Sequence, residues 1–180
     1  MEFRWLSPEE YRGYPLRFRY VTDRIYEVDC RENGFLLTLA PLAAPTEKSF
    51  TDELFAPWLE EPVALGAFQG DTLAGVAEGS REAWHDVFRV SNILVEEPFR
   101  RRGLGGALLE RMVAHARTLP GCRGVILETQ TCNYPAICFY QKHGFSLSRI
   151  DIREYSNQDI QNREARIDLF RPFPKSEDAI

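Results

Sequence analysis

The chain has 180 residues, 44% hydrophobic and 12% aromatic, with a formal net charge of −5. That suits one globular domain with a buried core and excludes a chain whose main theme is disorder. No stretch has the apolar length of a membrane helix, and the acidic balance argues against a protein that binds nucleic acid by neutralising phosphates.

Met1 to Trp5 holds no apolar run of the kind a secretory leader carries. Cys30, Cys122, Cys132 and Cys138 follow neither a Cys-x-x-Cys metal spacing nor a disulfide framework. Reduced thiols in a cytoplasm are the expectation. The first twenty residues mix Arg, Tyr and Pro without period, as an arm or a short first strand would. Arg24 to Cys30 alternates apolar and polar, Glu32-Asn33-Gly34 signals a turn, and Phe35 to Leu39 is a second apolar run, so a hairpin is predicted. Pro41 and Pro45 are read as breaks. Thr46 then caps a predicted helix to about Leu59, with Phe50, Leu54, Phe55 and Trp58 on one stripe and Pro62 past its end.

Val63 to Phe68 and Thr72 to Glu78 form a second predicted hairpin around Gln69-Gly70-Asp71, followed by a loop from Gly79 to His85. Val87 to Val95 reads as the central strand, closed by Glu96-Glu97-Pro98. Leu104, Leu108, Met112 and Ala116 recur every four residues in a helix to about Thr118, ended by Pro120-Gly121. Gly124 to Gln130 is a buried strand. Ala136 to His143 is a short helix, with Pro135 suited to its first turn and Gly144 to its end. Phe145 to Tyr155 and Ala165 to Phe170 are two last strands around a polar loop, Ser156 to Glu164. From Arg171 onward a polar, flexible tail is expected. This order suits a single domain, residues 1–180, of the α/β (α+β) class, a mixed sheet flanked by helices, with residues 1–60 resting on topology alone.

Three of the 22 basic residues stand together at Arg100, Arg101 and Arg102, where the central strand gives way to a helix. Gly103, Gly105 and Gly106 follow. A helix start offers four unpaired N–H groups and a positive dipole end. Missing side chains let backbone approach a phosphate, and arginines add forked donors. Taken together on a strand–loop–helix, these features point to a bound phosphate rather than a solvated face. No Walker loop is present, and the third glycine of a dinucleotide fingerprint would fall at Leu108.

Arg100-Arg-Arg-Gly-Leu-Gly105 resembles the Gln/Arg-x-x-Gly-x-Gly/Ala signature of the GNAT superfamily of N-acetyltransferases. Asn133-Tyr-Pro-Ala136-Ile-Cys-Phe139-Tyr140-Gln-Lys-His-Gly144-Phe145 resembles that superfamily's Asn-x-x-Ala-x-x-x-Tyr-x-x-x-Gly-Phe segment. With the adjoining strands the likeness spans roughly residues 87–155. It implies a central mixed, mostly antiparallel sheet, acetyl-CoA as cosubstrate and no metal. It also implies that backbone amides over Arg101, Arg102, Gly103, Leu104, Gly105 and Gly106 hold the pyrophosphate, with Arg100 in the same cluster. Ile93, Leu94 and Val95 would pair with the pantetheine arm, an amide at or near Val95 polarising the thioester carbonyl. Asn133 and Ala136 would line that arm, and Tyr140 would protonate the leaving thiolate, a role a phenol at hydrogen-bond distance can fill.

The acceptor arrives as an ammonium and must lose a proton. Leu127-Glu128-Thr129 resembles the Leu-Glu-Val run of ribosomal-protein alanine acetyltransferases, which makes Glu128 the first candidate base. Glu78, Glu82 and Asp86 are weaker alternatives. Trp84 to Val95, Leu127 to Asn133 and Tyr155-Ser-Asn157 look like streptothricin acetyltransferases, which acetylate a β-lysine amine. Those carry Glu-Asp where this chain has Ser91-Asn92, two carboxylates fewer beside the acceptor cleft. His115 is expected to face solvent, His143 to suit a helix C-terminus, and His85 to lie in a loop. Cys132 and Cys138 read as small buried residues rather than nucleophiles. The expected partner is a small-molecule amine, with no nucleic acid and no membrane; a homodimer stays open. The rival readings are a protein N-terminal or lysine acetyltransferase and a non-catalytic acyl-CoA-binding regulatory domain.

Overall fold

The computed structural model of the chain describes residues 1–174. Its central strand, β6 (Val87–Val95), buries Val87, Phe88, Val90 and Leu94. β-Branched and aromatic side chains favour such a pleated, half-buried surface. On one side β6 pairs antiparallel with β5 (Thr72–Glu82), from Gly75↔Val95 to Glu82↔Val87. On the other it pairs parallel with β7 (Gly124–Gln130), from Phe88↔Val125 to Val90↔Leu127. The β5–β6 register shifts once: Glu78 faces Asn92 but Gly79 faces Val90, which leaves Ser91 as an extra residue on β6. A bulge of this kind bends the strand and re-aims the side chains beside it.

The chain divides into two compact units. The first comprises residues 1–18, 51–127 and the described end from Arg171. Its strand order is β1-β4-β5-β6-β7, where β1 (Glu2–Leu6) and β4 (Val63–Gln69) pair antiparallel. A four-residue helix, α1 (Pro8–Tyr11), follows β1. Helix α2 (Leu104–Thr118) buries Leu104, Leu108, Leu109, Met112, Val113 and Ala116 and packs on β4, β5 and β6. That buried stripe, rather than helix propensity, holds the helix in place.

The second unit comprises residues 19–50 and 128–170. It carries most of a two-stranded ribbon, β2 (Pro15–Arg31) with β3 (Gly34–Glu53), and helix α3 (Tyr134–Lys142). Here the end of β7 is followed in strand order by β9 (Arg166–Pro172) and β8 (Ser146–Asp151), the last two antiparallel from Ser146↔Phe170 to Asp151↔Arg166. The class is the expected one: a mixed, mostly antiparallel sheet with helices.

Several local expectations are corrected. The helix predicted from Thr46 to Leu59 is not formed: β3 runs to Glu53, and Leu54, Phe55 and Ala56 make a buried turn. Two members of the supposed stripe, Phe50 and Trp58, are exposed, and Phe55 sits at φ +56, outside any right-handed helix. A partner strand supplies the ladder that the local pattern could not show. Pro41 and Pro45 do not break β3, because each strand of a two-stranded ribbon has a free edge where a missing N–H costs no ladder bond. The loop expected from Gly79 is strand as far as Glu82, paired with the start of β6. Tyr155 lies past the end of β8, in the following loop. The tail does not begin at Arg171: β9 continues to Pro172, and the Phe173 N–H donates to the Arg123 carbonyl at 2.8 Å. Residues 175–180 of that predicted tail lie outside the described residues. His115 is half-buried, with its ring 5.0 Å from Trp5 and 5.6 Å from Phe88, and burial lowers its pKa.

Candidate active site

In the first unit the strand-to-helix junction is built from local rules. After Val95, Glu97–Phe99 makes a short 3-10 turn. Arg101 then takes φ +61 and Gly103 φ +78, both left-handed. Gly103 is the N-cap of α2 and no side chain caps it; the first intrahelical bond runs from Ala107 N–H to the Gly103 carbonyl at 3.0 Å. The N–H groups of Leu104, Gly105 and Gly106 therefore head the helix without a capping side chain, at the positive end of its dipole. Arg100, Arg101, Arg102 and Gly103 are exposed, Leu104 is buried, and Gly105 and Gly106 are half-buried.

The arginines divide their work. Arg100 Nε donates to the Val95 carbonyl at 2.9 Å, which ties the loop back to the end of β6. Arg102 lies 6.0 Å over the Phe99 ring. Ile93, Leu94 and Val95 pair with Ala77, Val76 and Gly75 on the β5 side, beyond the three-pair ladder with β7. An uncapped helix start with left-handed residues before it leaves backbone donors at the positive end of a dipole, a donor set whose chemistry suits an anion such as a pyrophosphate.

In the second unit, Asn133 is the N-cap of α3, and its Oδ1 accepts from the Ala136 N–H at 3.2 Å. Two residues predicted to line the same arm are thus joined by a cap. Tyr140 lies in the second half of α3, with its ring 5.3 Å from Phe139 and 6.3 Å from Phe145. Tyr140 is half-buried, and desolvation pushes its pKa up to about 12. The phenol therefore keeps its proton at neutral pH.

Glu128 stands on an exposed position of β7, in the second unit. Its Oε2 is 3.0 Å from Arg166 Nη2, and its Oε1 accepts from the Tyr155 hydroxyl at 3.3 Å. Tyr155 belongs to a motif visible in the sequence, but Arg166 left no local signal. The weaker base candidates are engaged elsewhere: Glu82 with Arg89 and His85, and Asp86 with Arg81 at 3.1 Å. Glu78 is completely buried. Asn92 is also buried, turned towards Glu78, so of the pair Ser91-Asn92 only Ser91 faces solvent. Cys132 is buried, with its Sγ 3.4 Å from the Tyr20 hydroxyl. Among the described residues no group of three or more His, Cys, Asp or Glu could hold a metal ion, and no helix is long and apolar enough to cross a membrane.

The sequence pattern of the acetyltransferase (GNAT) family matches residues 23–145. A streptothricin acetyltransferase of Escherichia coli is 30% identical over 147 residues, 81% of this chain and 80% of the relative. Among solved structures, a nourseothricin acetyltransferase superposes with a TM-score of 0.78 at 26% identity, covering 96% of this chain and 98% of the other. A Bacillus anthracis protein solved with acetyl coenzyme A has the same fold, with a TM-score of 0.74 at 19% identity over 96% of this chain and 97% of that one. The matching family pattern and the likeness to streptothricin acetyltransferases lead to one conclusion: the chain belongs to the GNAT acetyltransferase family and is an acetyl-CoA-dependent N-acetyltransferase.

Proposed function

We propose that the chain, acting as one domain, acetylates a primary amine of a small, cationic, streptothricin-like acceptor. The observation that carries this reading is the likeness to a streptothricin acetyltransferase over four-fifths of both chains. The net charge of −5 agrees with a cationic acceptor. Acetyl-CoA supplies the acyl group as a thioester. The amides of residues 101–106 hold its pyrophosphate, Ile93, Leu94 and Val95 receive the pantetheine arm, and the Val95 amide polarises the carbonyl. Asn133 and Ala136 line the arm.

Glu128 takes the ammonium proton, through water, and the free amine attacks directly without an acyl-enzyme. Tyr140 gives its proton to the leaving thiolate. The raised pKa of Tyr140 and the exposed position of Glu128 support this division into acid and base. The test is a screen by thiol release with streptothricin, polyamines, aminoglycosides and N-terminal peptides. Streptothricin is expected to be used at least about tenfold better than any peptide. Preference for a peptide would make the chain a protein acetyltransferase instead.

A further inference from the structure

The second unit holds a carboxylate whose two oxygens are gripped by different elements. Glu128 Oε2 meets Arg166 of β9, and Oε1 meets Tyr155 of the loop between β8 and β9. Each partner is itself anchored. Arg166 Nε donates to Asp168 Oδ1 at 3.0 Å, and Asp168 is completely buried; Arg166 Nη1 also donates to Glu154 at 2.6 Å. Tyr155 is held through its backbone, whose N–H donates to Asp159 Oδ2 at 2.9 Å. The neighbouring Ser156 hydroxyl donates to Asp159 Oδ1 at 2.7 Å, and Asp159 is buried. A buried carboxylate thus organises the loop, and the loop delivers a phenol to Glu128.

We infer that Tyr155 is a positioning residue for Glu128: its hydroxyl and the Arg166 guanidinium clamp the two carboxylate oxygens, so that the acceptor's proton is taken at a fixed geometry. The inference rests on Glu128 being the base. A carboxylate with one tether still turns about its last bond, whereas two tethers from separate elements stop it. General-base transfer needs its partners within hydrogen-bond reach, so that restriction acts on kcat. In the step itself the ammonium N–H bond breaks, the electron pair stays on nitrogen, and the proton passes through water to Glu128. The Tyr155 O–H bond remains intact. Burial and the charge of Glu128 both raise the Tyr155 pKa, so the phenol remains a donor from neutral to alkaline pH.

A double-mutant cycle with acetyl-CoA and streptothricin tests the clamp, together with an NMR measurement that needs no acceptor. Tyr155→Phe, which removes only the hydroxyl, is expected to lower kcat about tenfold with the acetyl-CoA KM unchanged, and to cost nothing further in a Glu128→Gln background. Equal losses in both backgrounds would overturn the clamp. Wild-type turnover of Glu128→Gln alone would instead remove the base reading, and the catalytic role of the clamp with it. In carbon NMR of labelled tyrosines at neutral pH, Glu128→Gln should move the signal of the Tyr155 phenol carbon, because its hydroxyl loses the carboxylate partner. An unmoved Tyr155 signal would show that the contact is not made in solution and would overturn the inference even where the base reading stands.

Discussion

Glu78 of β5 and Asn92 of β6 face each other in the antiparallel register, and the Asn92 side-chain amide donates to Glu78 Oε2 at 3.0 Å. The other oxygen, Oε1, accepts from the Phe55 N–H at 2.6 Å. One buried carboxylate therefore joins the left-handed turn after β3 to the bulge of β6. Burial holds the Glu78 carboxyl above its ordinary pKa, while the two hydrogen bonds pull it back. Its position beside Ser91 makes it a support of the strand that runs on to Val95.

Truncating that support leaves a cavity and two buried donors without a partner. Glu78→Ala is expected to lose about 2–5 kcal/mol in urea unfolding. Glu78→Gln tests the charge. The folded pKa lies above the ordinary 4.5, so between the two values the folded chain binds more protons than the unfolded one, and stability falls as pH rises. The stability of Glu78→Gln relative to wild type should therefore grow as pH rises from 4.5 through the raised folded pKa. A difference that stays constant across that window refutes the account.

Tyr140→Phe keeps the ring and removes the proton. Its kcat should fall by about 10²-fold or more, with the acetyl-CoA KM within about twofold of wild type, as read by thiol release. Because burial pushes the Tyr140 pKa up to about 12, wild-type kcat should show no loss from this group below about pH 11. An equal fall in affinity and turnover would mean that Tyr140 only packs.

The cradle depends on a backbone shape that side chains resist. Gly103 has φ +78 and open space where a Cβ would stand, so Gly103→Val is strained without a clash. It should cost about 1–2 kcal/mol of stability and weaken coenzyme A binding about tenfold by calorimetry. Binding as tight as wild type would place the pyrophosphate elsewhere.

At the bulge the obstacle is contact rather than φ. A Cβ at Gly79 would lie 2.4 Å from the Arg89 carbonyl and 2.6 Å from the Phe88 ring, whereas one at Gly34 would meet nothing within 4 Å. Gly79→Ala should lower Tm by about 5–10 °C, and Gly34→Ala should stay within about 2 °C of wild type, by thermal scan. Similar shifts in both would show that the bulge tolerates a side chain.

What the sequence determined by itself is local chemistry. The α2 stripe reaches from Leu104 to Thr118 as its four-residue spacing predicts, and β6 and β7 have the bounds their apolar runs predict. The uncapped start of α2 at Gly103 is also local, because helix-start N–H groups and missing side chains belong to neighbouring residues. Tertiary structure decided the rest. Thr46 to Glu53 became strand because a partner strand supplied its hydrogen bonds, which no spacing within the segment encodes. Asn92 turned inward because Glu78 stands opposite it, and Glu128 meets Tyr155 and Arg166, both distant in the chain. Residue type and spacing reveal which groups can donate, accept or carry charge. Which of them are satisfied by one another, and so which remain for the acceptor, is set by burial and by partners that only the folded chain brings within 3 Å or so.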